Sequence, residues 1–182
     1  MRDQLMSEFA ALRATIRERG TTRVTVFWLG IAVWAALVVV LVAAVPIPAA
    51  VLVPLVVLLA TFEAVYGLHV GVERVGRYLQ VFHQDAWEAT AMAYGQRYPG
   101  GGLDPLYSAV FALAAVVNLS PRLASGPSPG EWIPLGLAHV LFVLRVYWGR
   151  RRAAGQRAED LERFRALAAA GRPSPSSPER DA

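Results

Sequence analysis

Glu63, His69, Glu73 and Arg77 are the side chains in this sequence whose types and spacing could do chemistry. Glu63 ends a run of 39 residues, Val24 to Phe62, that carries no charge. A lone carboxylate at the end of such a run falls inside or just below a hydrocarbon layer, where it must pair, protonate or face other helices. His69, Glu73 and Arg77 follow as successive i,i+4 neighbours, a ladder down one side of a helix. Glu63, Tyr66, Glu73 and Arg77 share one face, because separations of three, ten and fourteen residues approximate whole turns. Arg74, Tyr78, His83, Asp85 and Glu88 continue the concentration of hydrogen-bonding groups.

Three chemistries suit these groups. A proton or ion pathway would centre on Glu63, with His69 and Glu73 as relay groups, although the first half of the same segment has nothing polar to extend it. A metal site would use His69 with Glu73, joined by His83 or His139. Against it, His-Glu-x-x-His does not occur, nor does the paired Glu-x-x-His of bundle di-iron proteins, so no metal or other cofactor is expected. The third is plain ion pairing between helices, in which Arg145 would meet Glu63 or Glu73 and His139 would hydrogen-bond a neighbouring helix. Nucleophilic catalysis finds no support: Ser108 and Ser120 have no adjacent histidine, Pro99 to Gly102 lacks the lysine of a phosphate loop, and there are no cysteines.

The elements that must position these residues are apolar helices. Hydrophobic side chains make up 55% of the 182 residues and charged ones 18%, which is too apolar for an ordinary soluble domain. The expected fold is all-α, an integral membrane bundle of four transmembrane helices with amphipathic cytoplasmic helices. The charge-free run is interrupted only at Pro46-Ile47-Pro48, so it reads as a hairpin with arms at about 24–45 and 47–70, each of the roughly 20 residues that cross a bilayer. Pro54, early in the second arm, is expected to bend it without ending it. A third segment, 105–120, is short for a crossing and contains Ser108 and Asn118. The fourth, 132–149, is flanked by tryptophans.

Outside the apolar segments, Leu5, Phe9, Leu12 and Ile16 mark an amphipathic helix over 1–23 that Gly20 should end. The second arm should run on as one helix through 71–98, with Val75, Leu79, Phe82, Ala86 and Ala89 as its apolar stripe, until Pro99 and three glycines stop it. Residues 121–130 read as a loop, 150–170 as a cytoplasmic helix, and 171–182 as a disordered tail.

All 18 basic residues are arginine, as a GC-rich bacterial genome would favour. The net charge of +4 does not indicate nucleic acid, because the arginines cluster beside apolar segments. Five lie in 1–23, three in 71–104 and eight in 149–182, whereas Arg122 alone occupies the two remaining loops. The positive-inside rule therefore places both termini in the cytoplasm of a bacterial inner membrane. The function these features favour is a non-enzymatic interaction module that meets a protein partner, a second copy or membrane lipids through its cytoplasmic helices. A small transporter centred on Glu63 is the alternative, and a membrane enzyme with a His/Glu metal site ranks third.

Overall fold

The computed structural model describes residues 2–45, 47–98, 104–124 and 128–171. Five α-helices account for nearly all of them: α1 Arg2–Ala44, α2 Leu52–Phe82, α3 Ala86–Arg97, α4 Asp104–Ala124 and α5 Pro129–Ala169, with a 3-10 turn at Pro48–Val51 before α2. No strand occurs among the described residues. Three of the helices, α1, α2 with its preceding turn, and α5, are long and apolar enough to cross a membrane.

α1 and α2 form an antiparallel hairpin, shown by the pairing of Gly30 with Thr61, Arg23 with His69 and Glu8 with Tyr78. Gly30 permits this approach, because a Cβ there would overlap the Thr61 side chain. α5 lies alongside α2 in the same direction: Glu63 meets Arg145, Tyr66 meets Gln156, and Tyr78 meets Phe164. A Cβ on Gly149 would come within 2.9 Å of the Phe62 ring, so glycine lets that ring rest against α5. α4 runs parallel to α1, with Tyr107 and Phe111 beside Phe27 and Asn118 beside Trp34.

The core is a layer of Phe27, Leu55, Leu58, Phe62, Val65, Phe111, Ala114, Ala115, Phe142 and Val146. Phe111 sits edge-on to both Phe27 and Phe62, with ring centroids 5.6 Å and 5.4 Å away. In an apolar solvent such contacts hold helices together by close packing and dispersion, since burying leucine in place of lipid yields no hydrophobic gain. Many large side chains point outward from the same layer, among them Trp28, Leu29, Val53, Val56, Leu113, Val116, Leu137, Leu141 and Leu144. This is an apolar exterior around an apolar interior.

Several boundaries differ from expectation. Gly20 does not end a helix: α1 is continuous over 43 residues, about 64 Å at 1.5 Å per residue, because one glycine costs a helix only about 1 kcal/mol. The helix expected over 150–170 is the continuation of α5, which runs through Arg150 without a break. The expected continuous helix over 71–98 is broken. α2 stops at Phe82, Gln84 takes the left-handed conformation at φ 50°, and Asp85 caps α3 by accepting from the Trp87 amide at 3.0 Å. Pro54 lies in the first turn of α2, where the amide it lacks would have had no intrahelical partner. α4 extends through Pro121 to Ala124, into the stretch expected to be loop. α5 begins at a capping box, in which Ser128 and Glu131 bond reciprocally and Pro129 occupies the first turn. The expectations for 99–102 and for 172–182 concern positions outside the described residues.

Candidate functional site

Polar side chains gather in two places, one at each end of the apolar layer. The larger group is at the polar end, where α1, α2 and α5 extend beyond the layer. Nearest the layer, Arg145 Nη2 donates to Glu63 Oε2 at 2.7 Å. Both side chains remain partly open, Arg145 at 38% and Glu63 at 43% exposure. The same guanidinium lies over the Phe62 and Tyr66 rings. Glu63 is thus neutralised by a neighbouring helix at the edge of the layer.

One turn further, the Tyr66 hydroxyl donates to Gln156 Oε1 at 3.5 Å. His69 then lies between two arginines: Arg23 Nη1 is 2.8 Å from its Nδ1 and Arg157 Nη2 is 3.3 Å from its Nε2. A neutral imidazole has a single lone-pair nitrogen, so it accepts from one of these cations and not from both. Glu73 Oε2 is likewise shared, 3.2 Å from Arg77 Nη2 and 3.2 Å from Arg157 Nε. Arg74 Nε donates to Asp160 Oδ2 at 3.1 Å. Arg77 is 6% exposed, and its Nε and Nη1 have no hydrogen-bond partner among the described residues. Between α2 and α5 these groups line a cleft with room for about one water molecule.

A further tier ties α1, α2, α3 and α5 together. Tyr78 donates to Glu8 Oε1 at 2.6 Å, and His83 Nε2 lies 3.8 Å from the same oxygen. His83 also contacts the Phe9 and Tyr78 rings. Arg13 bridges to Asp85 and Glu88, which fastens the start of α3 to α1. Phe164 of α5 packs edge-on against Tyr78 and Phe82. On its free face α3 presents Trp87 and Tyr94, followed by Tyr98 at its C-cap, each more than half exposed.

The smaller group sits at the turn end. Asn118, 2% exposed, accepts from Trp34 Nε1 at 3.2 Å and donates through Nδ2 to the Val51 carbonyl at 2.9 Å. The same Nδ2 lies 3.0 Å from His139 Nε2, and His139 Nδ1 lies 2.7 Å from the Leu135 carbonyl. These contacts fit one tautomer, a neutral imidazole with its proton on Nδ1. At the rim, Arg122 donates to the Val45 and Ile47 carbonyls and ties α4 to the turn between α1 and α2.

Of the residues singled out from sequence, Glu63, His69, Glu73, Arg77 and Arg145 come together along the α2–α5 seam, with Tyr78 and His83 one tier below. His139 belongs to the opposite end, about 27 Å from the His69 tier by the helical rise from His139 to Arg157. His83 faces Glu8 rather than His69, so the histidines and Glu73 do not converge. Among the described residues no group of three histidine or carboxylate side chains could hold a metal ion. Sequence reasoning did not single out Arg23, Gln156, Arg157 and Asp160, the partners on other helices, nor Asn118 with Trp34. An asparagine inside an apolar segment carries the same expectation of a buried partner as Glu63, and that signal was available.

The molecule is therefore an all-helical protein with three helices able to cross a membrane and a charged helical cluster at one end. Comparison with known proteins finds no matching protein family, no similar curated protein and no similar solved structure.

Proposed function

We propose that the chain is a four-crossing protein of a bacterial inner membrane, with both termini in the cytoplasm, that acts as a non-enzymatic interaction module. The fourth crossing is supported by the course of α4. From Tyr107 beside Phe27 to Arg122 at the Val45 carbonyl it covers about 22 Å of rise, level with α1 over the same layer. The arginine distribution supports placing the polar end in the cytoplasm.

The observation that carries the interaction role is the construction of the polar end. Extensions of three membrane helices are braced by side-chain contacts into a platform, and that platform presents α3 with Trp87, Tyr94 and Tyr98 outward. Exposed aromatic side chains on a rigid support are the usual currency of a binding surface. A transport role has less support, because Leu55, Leu58, Phe62, Phe111 and Phe142 fill the layer between the two polar groups.

A photo-crosslinking residue placed at Tyr94 tests this in growing cells, with one at Val116 as control. A discrete protein adduct from position 94, absent from position 116, is expected. No adduct at 94, or the same adduct at both positions, contradicts the reading. Single cysteines at Gly101 and Ser125 test the topology: they should label from opposite sides, and labelling from the same side contradicts four crossings.

A further inference from the structure

The core face of α5 is made by His139, Phe142, Val146, Gly149 and Ala153. Opposite it, Leu137, Leu141, Leu144 and Trp148 form a stripe that is exposed along its length, Trp148 to 70%. By helical spacing that stripe passes directly into Arg151 and Arg152, both exposed, which flank its axis one turn beyond Trp148 and two beyond Leu144. Neither arginine has a carboxylate partner among the described residues. Arg151 instead lies over the Tyr147 ring, 4.6 Å from its centroid, which holds the guanidinium up beside the apolar stripe. Gly155, the next residue on the axis, has nothing within 4 Å of where a Cβ would sit, so the space below the two guanidiniums is open. The nearest acid further down, Glu159, is paired with Arg163 one turn beyond it.

An apolar strip topped by aromatic rings and closed by two unpaired guanidiniums matches one molecule: acyl chains along the strip and a phosphate at its end. We propose that Leu141, Leu144, Tyr147, Trp148, Arg151 and Arg152 form a binding site for an anionic phospholipid, with its phosphate held between Arg151 and Arg152. This rests on α5 crossing the membrane and not on α3 having a partner, so its failure would leave a crosslink from Tyr94 untouched.

The test titrates the purified full chain in mild detergent with phosphatidylglycerol or phosphatidylcholine and counts bound lipid by native mass spectrometry. The native chain should prefer phosphatidylglycerol. R151Q/R152Q should weaken that binding about thirtyfold, at roughly tenfold for each 1.4 kcal/mol and about 1 kcal/mol for each arginine near a headgroup. R151K/R152K should retain most of the preference, and R165Q, on the exposed end of α5, should leave it unchanged. Equal binding of the two lipids by the native chain overturns the proposal, whether or not the variants fold. So does undiminished phosphatidylglycerol binding by R151Q/R152Q, or displacement of the lipid by inorganic phosphate alone.

Discussion

The turn end and the polar end solve the same problem, polar side chains among apolar helices, in opposite ways. At the turn end one asparagine satisfies a tryptophan, a backbone carbonyl and a histidine, all neutral, and the tautomer of His139 is fixed by its two neighbours. At the polar end charge is abundant and shared: two arginines draw on one oxygen of Glu73, two flank one imidazole, and Arg77 keeps two nitrogens without partners in a cleft that admits water. A neutral network with its bonds satisfied fixes how helices register, whereas a charged cluster with unpartnered nitrogens can rearrange around a partner.

The sharpest break between the two ends should come from Asn118→Leu. It removes three interhelical contacts, each worth roughly 0.6 kcal/mol in a membrane, and should destabilise the folded chain by about 2 kcal/mol in a denaturant titration in detergent micelles. A loss as small as that from an outward-facing control such as Leu113→Ala would show that the network does not set register.

Next in size is Glu73→Gln, expected to cost about 1–2 kcal/mol by the same measurement, because it leaves the buried Arg77 without its counter-charge. Reversing Glu63 or Arg145 singly should cost about 0.5 kcal/mol, a loss restored by reversing both and reduced at high salt, since the pair is partly exposed. Unrestored stability in the double reversal would count against the pair. The smallest effect is expected from Arg77→Met: desolvation of the guanidinium is offset by only one hydrogen bond, so stability should change by less than about 0.5 kcal/mol. A large loss there would show that Arg77 has a partner the cleft supplies.

How much of this was legible in the sequence depends on whether an interaction is local. The apolar segments, the hairpin turn and the ladder from Glu63 to Arg77 follow from spacing along one helix. The α3 break was also written locally, because Asp85 followed three residues later by Glu88 resembles a helix start, a signal masked by the continuing apolar stripe through Phe82 and Ala86. Ser128-Pro129 with Glu131 is a similar start signal, hidden in a stretch that proline and glycine made look like loop. What spacing could not supply is which helix faces which. Arg23 and Arg157 read as two more arginines in charged flanks, and only the antiparallel α1–α2 hairpin with α5 alongside brings both to His69. Asn118 lost its meaning for the same reason, since its partners come from α1, the 3-10 turn and α5.

The separation of the two polar ends by a closed apolar layer is the central claim, and it favours binding over conduction. Proteoliposomes holding the purified full chain, given a proton gradient or a potassium diffusion potential, test it most directly. Proton flux no faster than in protein-free liposomes is the predicted result. Flux well above that baseline, abolished by Glu63→Gln, would contradict it.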